Sequence, residues 1–174
     1  HETQHDKISY ISSLSRIDQG QFVWLDKFTI RNLELLHSSN AGAKTLIDVI
    51  DKTSSPMGSR LMRRWPSLPL KNKEQINARY DIVDYFVNNN DLIYKFQDAI
   101  RQVGDLERLI SKVSLLRVNP RELLQLARAL DQIEIIKNLC ADSNDDSIKL
   151  YAEQLNVCDS IRQKIKRVLN PDSP

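Results

Sequence analysis

The sequence predicts an all-α fold, a helical bundle of about seven helices preceded by a small N-terminal β-hairpin or extended segment. Glycine, which helices avoid, occurs only 4 times in 174 residues. From Asp26 onward, apolar residues recur with a period of about 3.6 residues, as they do on one face of a helix. Helix-start signals precede most of these periodic segments, and the connections between them are short. This combination is typical of a helical bundle.

The first 25 residues have a different pattern. Residues 8–12 alternate apolar and polar side chains, and residues 22–25 form a second short, β-prone run. A turn signal, Asp18-Gln19-Gly20, lies between them, so the two runs are predicted to pair as a hairpin. Because an isolated two-stranded hairpin is only marginally stable in water, we expect its sheet partners to belong to a longer protein that contains this chain.

Four helices are predicted before residue 90, each opened by a side chain that can cap its first turn. Ser55 is followed by Pro56, which suits the first helical position. The first helix is expected to run to Leu35, and Pro66 and Pro69 are expected to stop the third. The capping residues are Asp26, Thr45, Ser55 and Asn72. The predicted apolar faces are Leu46, Ile47, Val49 and Ile50 in the second helix, Met57, Leu61 and Trp65 in the third, and Ile76, Tyr80, Val83 and Val87, expected to be buried, in the fourth.

Further helices are predicted after residue 91. Gly104 interrupts the periodicity, and Asp105 can cap the helix that follows. Asn119, Pro120 and Glu122 combine a capping side chain, a first-turn proline and a capping-box partner, which predicts a long helix. One last helix is expected to end before Pro171. The predicted apolar faces are Leu92, Phe96, Ala99 and Val103; Leu106, Leu109, Ile110 and Val113; Leu123, Leu126, Ala127, Leu130 and Ile133; and Ile148, Tyr151, Leu155, Cys158, Ile165 and Val168.

Composition limits the class of protein. The net charge is +2, from 25 basic and 23 acidic residues, which is far from a dedicated basic surface. No apolar run approaches the roughly 20 residues that cross a bilayer, and no signal peptide is visible. We therefore expect a cytoplasmic chain with no membrane partner. Cys140 and Cys158 have no metal-ligand spacing and are interpreted as two reduced thiols.

The first five residues, His1-Glu2-Thr3-Gln4-His5, match the zinc-hydrolase pattern H-E-x-x-H, in which two histidines bind zinc and the glutamate activates water. That pattern needs a rigid helix and usually a third protein ligand. Here it stands at a terminus, where chains fray, and no apolar neighbour would bury such a helix. We interpret the match as a coincidence, so no metal is expected, and a zinc hydrolase is the weakest alternative.

The glycine spacing does not fit the familiar nucleotide sites. A P-loop needs two glycines followed by a Lys-Ser/Thr pair, and a dinucleotide fold needs three glycines close together. Gly20, Gly42, Gly58 and Gly104 are far apart, and no Ser/His/Asp arrangement is legible. We therefore expect no catalytic residue, no bound cofactor and no small-molecule substrate in this chain.

Basic residues concentrate in two places, Arg60 to Arg79 and Arg162 to Arg167. One interpretation is contact with DNA phosphates, which needs only cations on one face. The other, which we favour, is a solvated helix face or pairing with carboxylates, since acidic residues nearly equal basic ones and no aromatic residues interleave as a stacking platform. The candidate phosphate contacts are Arg63, Arg64, Lys164, Lys166 and Arg167.

Two segments carry a family resemblance. Residues 55–65 (Ser-Pro-Met-Gly-Ser-Arg-Leu-Met-Arg-Arg-Trp) and 104–109 (Gly-Asp-Leu-Glu-Arg-Leu) together resemble the core, or lever, domain of the MutS family of DNA mismatch-repair proteins. Residues 25–34, 45–46, 51 and 69–70 continue the match in order, whereas Ser54-Ser55 and Pro66 depart from the commoner forms. The signature residues are Asn32, Pro56, Gly58, Arg60, Trp65, Arg79, Gly104, Asp105 and Arg108.

The resemblance implies a domain order. Residues 1–25 would be the end of the connector domain, residues 26–170 the first part of the core domain, and residues 171–174 a tail. The whole protein would be a homodimeric, mismatch-recognising ATPase with ATP and Mg, mismatched duplex DNA and downstream repair factors as its partners. The ATP site, mismatch reader and DNA clamp would lie outside this chain. This segment would be a structural and allosteric module, and the alternative is an independent nucleic-acid-binding helical domain that uses its basic helix faces.

Overall fold

The computed structural model describes residues 20–40 and 42–169. Within these ranges the fold is all-α, as predicted, and the β pairing found there is one isolated antiparallel bridge, between Phe22 and Leu70. The helices are α1 (Lys27–Asn32), α2 (Leu46–Ile50), α3 (Pro56–Ser67), α4 (Lys73–Asn88), α5 (Asn90–Val103), α6 (Leu106–Ser114), α7 (Pro120–Ala141), α8 (Asp146–Gln154) and α9 (Asp159–Val168).

The extended segment before α1 lies against the chain that follows α3. The Val23 N–H donates to the Pro69 carbonyl at 2.7 Å, and the Lys71 N–H donates to the Gln21 carbonyl at 3.0 Å. The other predicted strand of the hairpin, residues 8–12, lies outside the described residues. The described partner of the Phe22 segment is therefore the stretch around Leu70.

The predicted capping residues all cap their helices. Asp26 accepts from the Thr29 N–H at 2.6 Å, and Ser55 accepts from the Gly58 N–H at 3.1 Å. Full capping boxes open α2 and α7, formed by Thr45 with Asp48 and by Asn119 with Glu122. At α4 and α6 the side chains of Asn72 and Asp105 each accept from a backbone N–H three residues on. Each helix start is determined by side chains within four residues of the first helical residue, which is why the sequence predicts these starts well.

Two helix ends differ from prediction. The first helix ends at Asn32 rather than Leu35, because Glu34 takes a positive φ of 48° and the Leu35 N–H donates back to the Ile30 carbonyl, as in a Schellman motif. Helix α3 continues one residue past Pro66, since the N–H of Leu68 still reaches the carbonyls of Arg64 and Trp65.

The prediction of a single last helix is wrong, because the chain breaks between α8 and α9. The ammonium of Lys137, on α7, donates to the Leu155 carbonyl at 2.9 Å. The Cys158 N–H donates to the Asn156 side chain at 2.9 Å, and Cys158 takes a φ of 49°. A partner on another helix thus satisfies a carbonyl that α8 would otherwise leave unpaired.

Helix α7 is the centre of the bundle and packs against α5, α6, α8 and α9. Its predicted apolar face is confirmed by the burial of Leu126, Ala127 and Leu130. The α5 face is also buried, at Phe96, Ala99 and Val103. A second cluster forms between α4, α5, α7 and α8, where the rings of Phe86 and Phe96 pack edge to face with centroids 5.1 Å apart. Most of the core therefore lies in the second half of the chain.

The predicted faces of α3 and α4 are not buried in the described structure. Neither helix contains a buried residue, and Tyr80 is 66% exposed. Helix α4 instead turns Ile82, Tyr85 and Phe86 toward the second cluster. Periodicity identifies an apolar stripe but not the neighbour that covers it. Other residues of predicted apolar faces that are exposed are Leu46, Val49, Leu61, Trp65, Val83, Val87, Ile110, Tyr151 and Val168.

None of the described helices is both long enough and apolar enough to cross a membrane.

Candidate functional site

The side chain of Arg60 joins α3 to the start of α6. Its Nε donates to Glu107 Oε2 at 2.8 Å, and its Nη1 and Nη2 donate to the two carboxylate oxygens of Asp105 at 3.1 and 2.7 Å. The planar guanidinium matches a carboxylate with two parallel hydrogen bonds, which fixes direction as well as distance. Two parts of the chain that are about 45 positions apart are thereby held in one geometry.

Asp105 has two roles in this junction. Besides pairing with Arg60, it caps α6 by accepting from the Arg108 N–H at 3.2 Å. The Arg60 guanidinium lowers the pKa of the Asp105 carboxyl; partial desolvation opposes that effect, and the Arg108 N–H adds to it. The same two carboxylates raise the pKa of Arg60. Asp105 and Arg60 are therefore both charged at neutral pH.

The residues on either side of the junction set its direction. Gly104 adopts φ 67° and ψ −142°, a conformation open essentially to glycine alone, and this turns the chain from α5 into α6. At the start of α3, a Cβ on Gly58 would lie 3.2 Å from both Ser55 Oγ and Thr53 Cβ. The Ser59 hydroxyl donates to Asp51 at 2.5 Å. The first turn of α3 is thus fastened to the preceding loop, with Arg60 directly after it.

Two more signature residues meet between α3 and α4. The guanidinium carbon of Arg79 lies 3.9 Å from the centroid of the Trp65 ring, a cation–π contact. Asn32 is different, since it is exposed at the end of α1 and no hydrogen bond of its side chain is found in the described part of the chain. The structure therefore brings together Arg60 with Asp105 and Trp65 with Arg79, but not Asn32.

A second ion pair joins α6 to α7. The Lys112 ammonium donates to the carboxylate of Glu122, whose other oxygen accepts from the Asn119 N–H and so completes the capping box of α7. Lys112 lowers the pKa of Glu122, and the backbone N–H of Asn119 lowers it further. The sequence showed the capping role of Glu122 but gave no indication of Lys112 as its partner.

A third group of ion pairs joins α7 to α9. Arg162, whose side chain is only 11% exposed, pairs with Glu134 and Asp131 on α7 and with Asp159 on its own helix. Lys166 donates to Asp131 at 2.6 Å. We call the three junctions together the ion-pair chain. Its members are Arg60 with Asp105 and Glu107, Lys112 with Glu122, and Arg162 and Lys166 with Asp131 and Glu134. It links α3, α6, α7 and α9 in that order.

The candidate phosphate contacts fall into two groups. Lys166 belongs to the ion-pair chain. The other four are exposed, and no ion pair of theirs is found among residues 20–40 and 42–169; they are Arg63, Arg64, Lys164 and Arg167. Their role as DNA contacts stays a prediction. Sequence reasoning missed Asp131 and Glu134, although their spacing from one another puts them on one face of α7.

Neither a metal site nor a familiar nucleotide site is evident in the described ranges. No group of three or more His, Cys, Asp or Glu residues there could hold a metal ion. Residues 1–5, the H-E-x-x-H match, lie outside those ranges. Gly58 sits in the first turn of α3 and Gly104 between two helices, so neither belongs to a phosphate-binding loop. Neither glycine therefore provides a cradle for the phosphates of ATP.

Comparison with known proteins shows which proteins this chain is similar to. A family model described as MutS domain III matches residues 28–174. The DNA mismatch repair protein MutS of Flavobacterium psychrophilum is 49% identical over 173 residues, which is 99% of this chain and 20% of that protein. The proteins of the same description from Flavobacterium johnsoniae and Phocaeicola vulgatus are each 47% identical, again over 99% of this chain and 20% of theirs. The chain therefore spans about a fifth of the length of these relatives.

Proposed function

The chain belongs to the MutS family of DNA mismatch repair proteins, and we propose that it is a rigid helical segment of domain III that couples an ATPase region to a DNA-clamp region. On this proposal the segment has no catalytic site of its own. The whole protein is a homodimeric, cytoplasmic ATPase that binds mismatched duplex DNA and downstream repair factors, with ATP and Mg held outside residues 1–174.

The observation that carries the proposal is the ion-pair chain. It ties α3 to α6, α6 to α7, and α7 to α9, so four helices are joined side chain to side chain through the most buried helix of the bundle. On α7 the attachment points Glu122 and Glu134 lie about 18 Å apart, at 1.5 Å per residue. A displacement applied at α3 is therefore opposed by contacts that reach α9.

Rigidity is what such a segment contributes to coupling. Protein interiors are close-packed and have few soft modes, so a bundle tied in this way moves as a body. Coupling between two sites requires that both ligands bias the same element. In the proposal, ATP at one end and DNA at the other bias the orientation of this bundle.

The test removes the first junction while keeping the fold. In the full-length protein, Arg60→Gln leaves a neutral side chain opposite Asp105 and Glu107, both of which can still meet water. We expect binding of mismatched DNA to persist and ATP-induced release of that DNA to slow several-fold. Arg64→Gln is the matched control, because Arg64 is an exposed arginine on the same helix with no ion pair in the described residues.

The measurement is the dissociation rate of a fluorescent mismatched duplex after ATP addition, with thermal unfolding recorded for both variants. If Arg60→Gln releases DNA at the rate of the Arg64→Gln control while folding normally, the coupling role is wrong.

The alternative is an independent nucleic-acid-binding helical domain. The exposed cations Arg63, Arg64, Lys164 and Arg167 favour it, but Arg60, Arg162 and Lys166 are engaged with carboxylates, which leaves less positive charge free for phosphates. Titration of residues 1–174 with duplex DNA at several salt concentrations separates the two functions. Tight binding with a steep salt slope would favour the alternative.

A further inference from the structure

Helices α8 and α9 both pack on α7, but they differ in what they bury. Helix α8 buries Ile148 and Ala152. Helix α9 is described along its whole length and contains no buried residue, and its Ile161 and Val168 are 54% and 66% exposed. Because apolar burial is the main force that holds packed helices together, it attaches α9 to α7 more weakly than it attaches α8.

Ion pairs add to the attachment of α9, and solvent reaches them. The side chain of Arg162 is 11% exposed, but its partners on α7, Asp131 and Glu134, are 34% and 46% exposed. Lys166, which also pairs with Asp131, is 49% exposed. Dissolved ions screen pairs of this kind, because the charges are open to water. We call these four side chains the charge latch.

The chain between α8 and α9 has the features of a hinge. Its α8 end is fixed, since the Lys137 ammonium on α7 donates to the Leu155 carbonyl at 2.9 Å. Residues 156–158, which follow, are not helical, and Cys158 takes the left-handed conformation with φ and ψ of 49°. Within the described residues, no side-chain hydrogen bond caps the first turn of α9. Rotation at these three residues would therefore swing α9 without disturbing α8.

Arg162 keeps one partner when α9 moves away from α7. Its guanidinium also pairs with Asp159, which lies three residues earlier on α9 itself and moves with it. Water reaches the remaining donors of the guanidinium as the helix swings out. The release of α9 therefore leaves Arg162 solvated and paired, which costs far less than leaving a charge buried without a partner.

We propose that α9 is a hinged strap, which the charge latch holds closed on α7 and which opens when salt screens the latch. Opening is a local event rather than unfolding of the bundle, because it breaks the latch and leaves the buried contacts of α8 in place. In the closed form the ion-pair chain is complete. The proposal goes beyond the coupling function and does not depend on it, since it concerns the junction of α7 with α9 alone.

Hydrogen exchange of the full-length protein, measured by mass spectrometry at one fixed pH, tests the proposal. Sodium chloride is set to about 0.1 M or about 1 M, which shortens the Debye length from about 10 Å to about 3 Å. Peptides from α9 are compared with peptides from α8. The variants Arg162→Gln and Glu134→Gln weaken the latch, and the second removes a carboxylate that is already half exposed. Arg167→Gln is the matched control, since Arg167 is an exposed residue of α9 with no ion pair in the described part of the chain.

The expected result is that the higher salt concentration speeds the exchange of α9 amides several-fold and changes that of α8 amides much less. At the lower salt concentration, α9 should exchange faster in Arg162→Gln and Glu134→Gln than in the unmodified protein and should respond less to salt. Arg167→Gln should match the unmodified protein. Thermal unfolding shows whether each variant folds, and Glu134→Gln decides the question if Arg162→Gln does not.

Equal acceleration of α8 and α9 by salt would mean that the whole bundle loosens, which would overturn the proposal. Exchange of α9 that neither salt nor Glu134→Gln changes would overturn it as well, and so would an effect of Arg167→Gln as large as that of Glu134→Gln. Neither ATP nor DNA is present, so the outcome is independent of the test of coupling.

Discussion

A single carboxylate, that of Asp105, serves two purposes in this chain. It stops the backbone N–H of Arg108 from being left unpaired at the start of α6, and it anchors α3 through Arg60. Either role alone would be an ordinary surface feature that adds little to stability. Together they fix the position of one helix relative to the start of another, so loss of the Asp105 charge affects both at once.

The pH dependence of stability follows from this arrangement. Because the pKa of Asp105 is lowered in the folded state, its contribution to the free energy of unfolding is complete above the ordinary value of 3.8 and is lost as the pH falls below it. We expect Arg60→Gln to be less stable than the unmodified chain at neutral pH, and we expect this difference in the free energy of unfolding to shrink as the pH falls below 3.8 and the Asp105 carboxyl becomes protonated.

Urea unfolding of residues 1–174 at several pH values checks this prediction. Glu122 and Glu134, whose pKa values are also lowered, titrate in both proteins and cancel in the difference. The Arg64→Gln control should have the same free energy of unfolding as the unmodified chain at every pH. If the difference in the free energy of unfolding between Arg60→Gln and the unmodified chain is constant from neutral to acidic pH, the ion pair adds nothing to stability.

At the scale of the element, α7 is the helix on which the others depend. Leu130 is 6% exposed and lies among side chains of the surrounding helices, whereas Leu150 on α8 is 53% exposed. We expect Leu130→Ala to lower the free energy of unfolding by about 2–5 kcal/mol, the usual cost of a cavity at a buried leucine. Leu150→Ala should change it by less than about 0.5 kcal/mol.

Chemical denaturation of the two variants at neutral pH measures the difference. Equal destabilisation by Leu130→Ala and Leu150→Ala would show that α7 is not the packed centre of the bundle.

The sequence predicts where helices start far better than it predicts which other parts of the chain each helix contacts. Asp26, Asn72 and Asn119 cap as expected, because a cap depends on neighbours within one turn. The break between α8 and α9 was missed, because the Leu155 carbonyl is satisfied by Lys137, 18 residues earlier on another helix. A pattern read along one helix contains no information about such a partner.

The candidate site shows the same division. Signature residues Arg60 and Asp105 could be identified from the sequence through the family resemblance, but their contact spans 45 positions and only the fold reveals it. Lys112, Asp131 and Glu134 were not identified at all, since a charged residue on a helix usually faces solvent.

At the scale of the whole molecule, the distribution of buried and exposed apolar residues is uneven. The second half of the chain holds most of the core, whereas α3 and α4 leave Leu61, Trp65 and Tyr80 exposed. Membership of a family whose members are about five times longer gives this unevenness a simple interpretation. We propose that the exposed stripes of α3 and α4 face other parts of a longer protein, and that the ion-pair chain holds α3 in place against α6.

On the proposed function, α3 and α9 move together because the ion-pair chain joins them through α6 and α7. Spin labels at Arg64→Cys and Lys164→Cys, both exposed positions, report the distance between these helices in the full-length protein with other reactive cysteines replaced. Double electron–electron resonance should give one narrow distance distribution that is the same with and without ATP, and a broader one when Arg60→Gln is added. A distance that shifts on ATP binding, or one that Arg60→Gln leaves equally narrow, would contradict the claim.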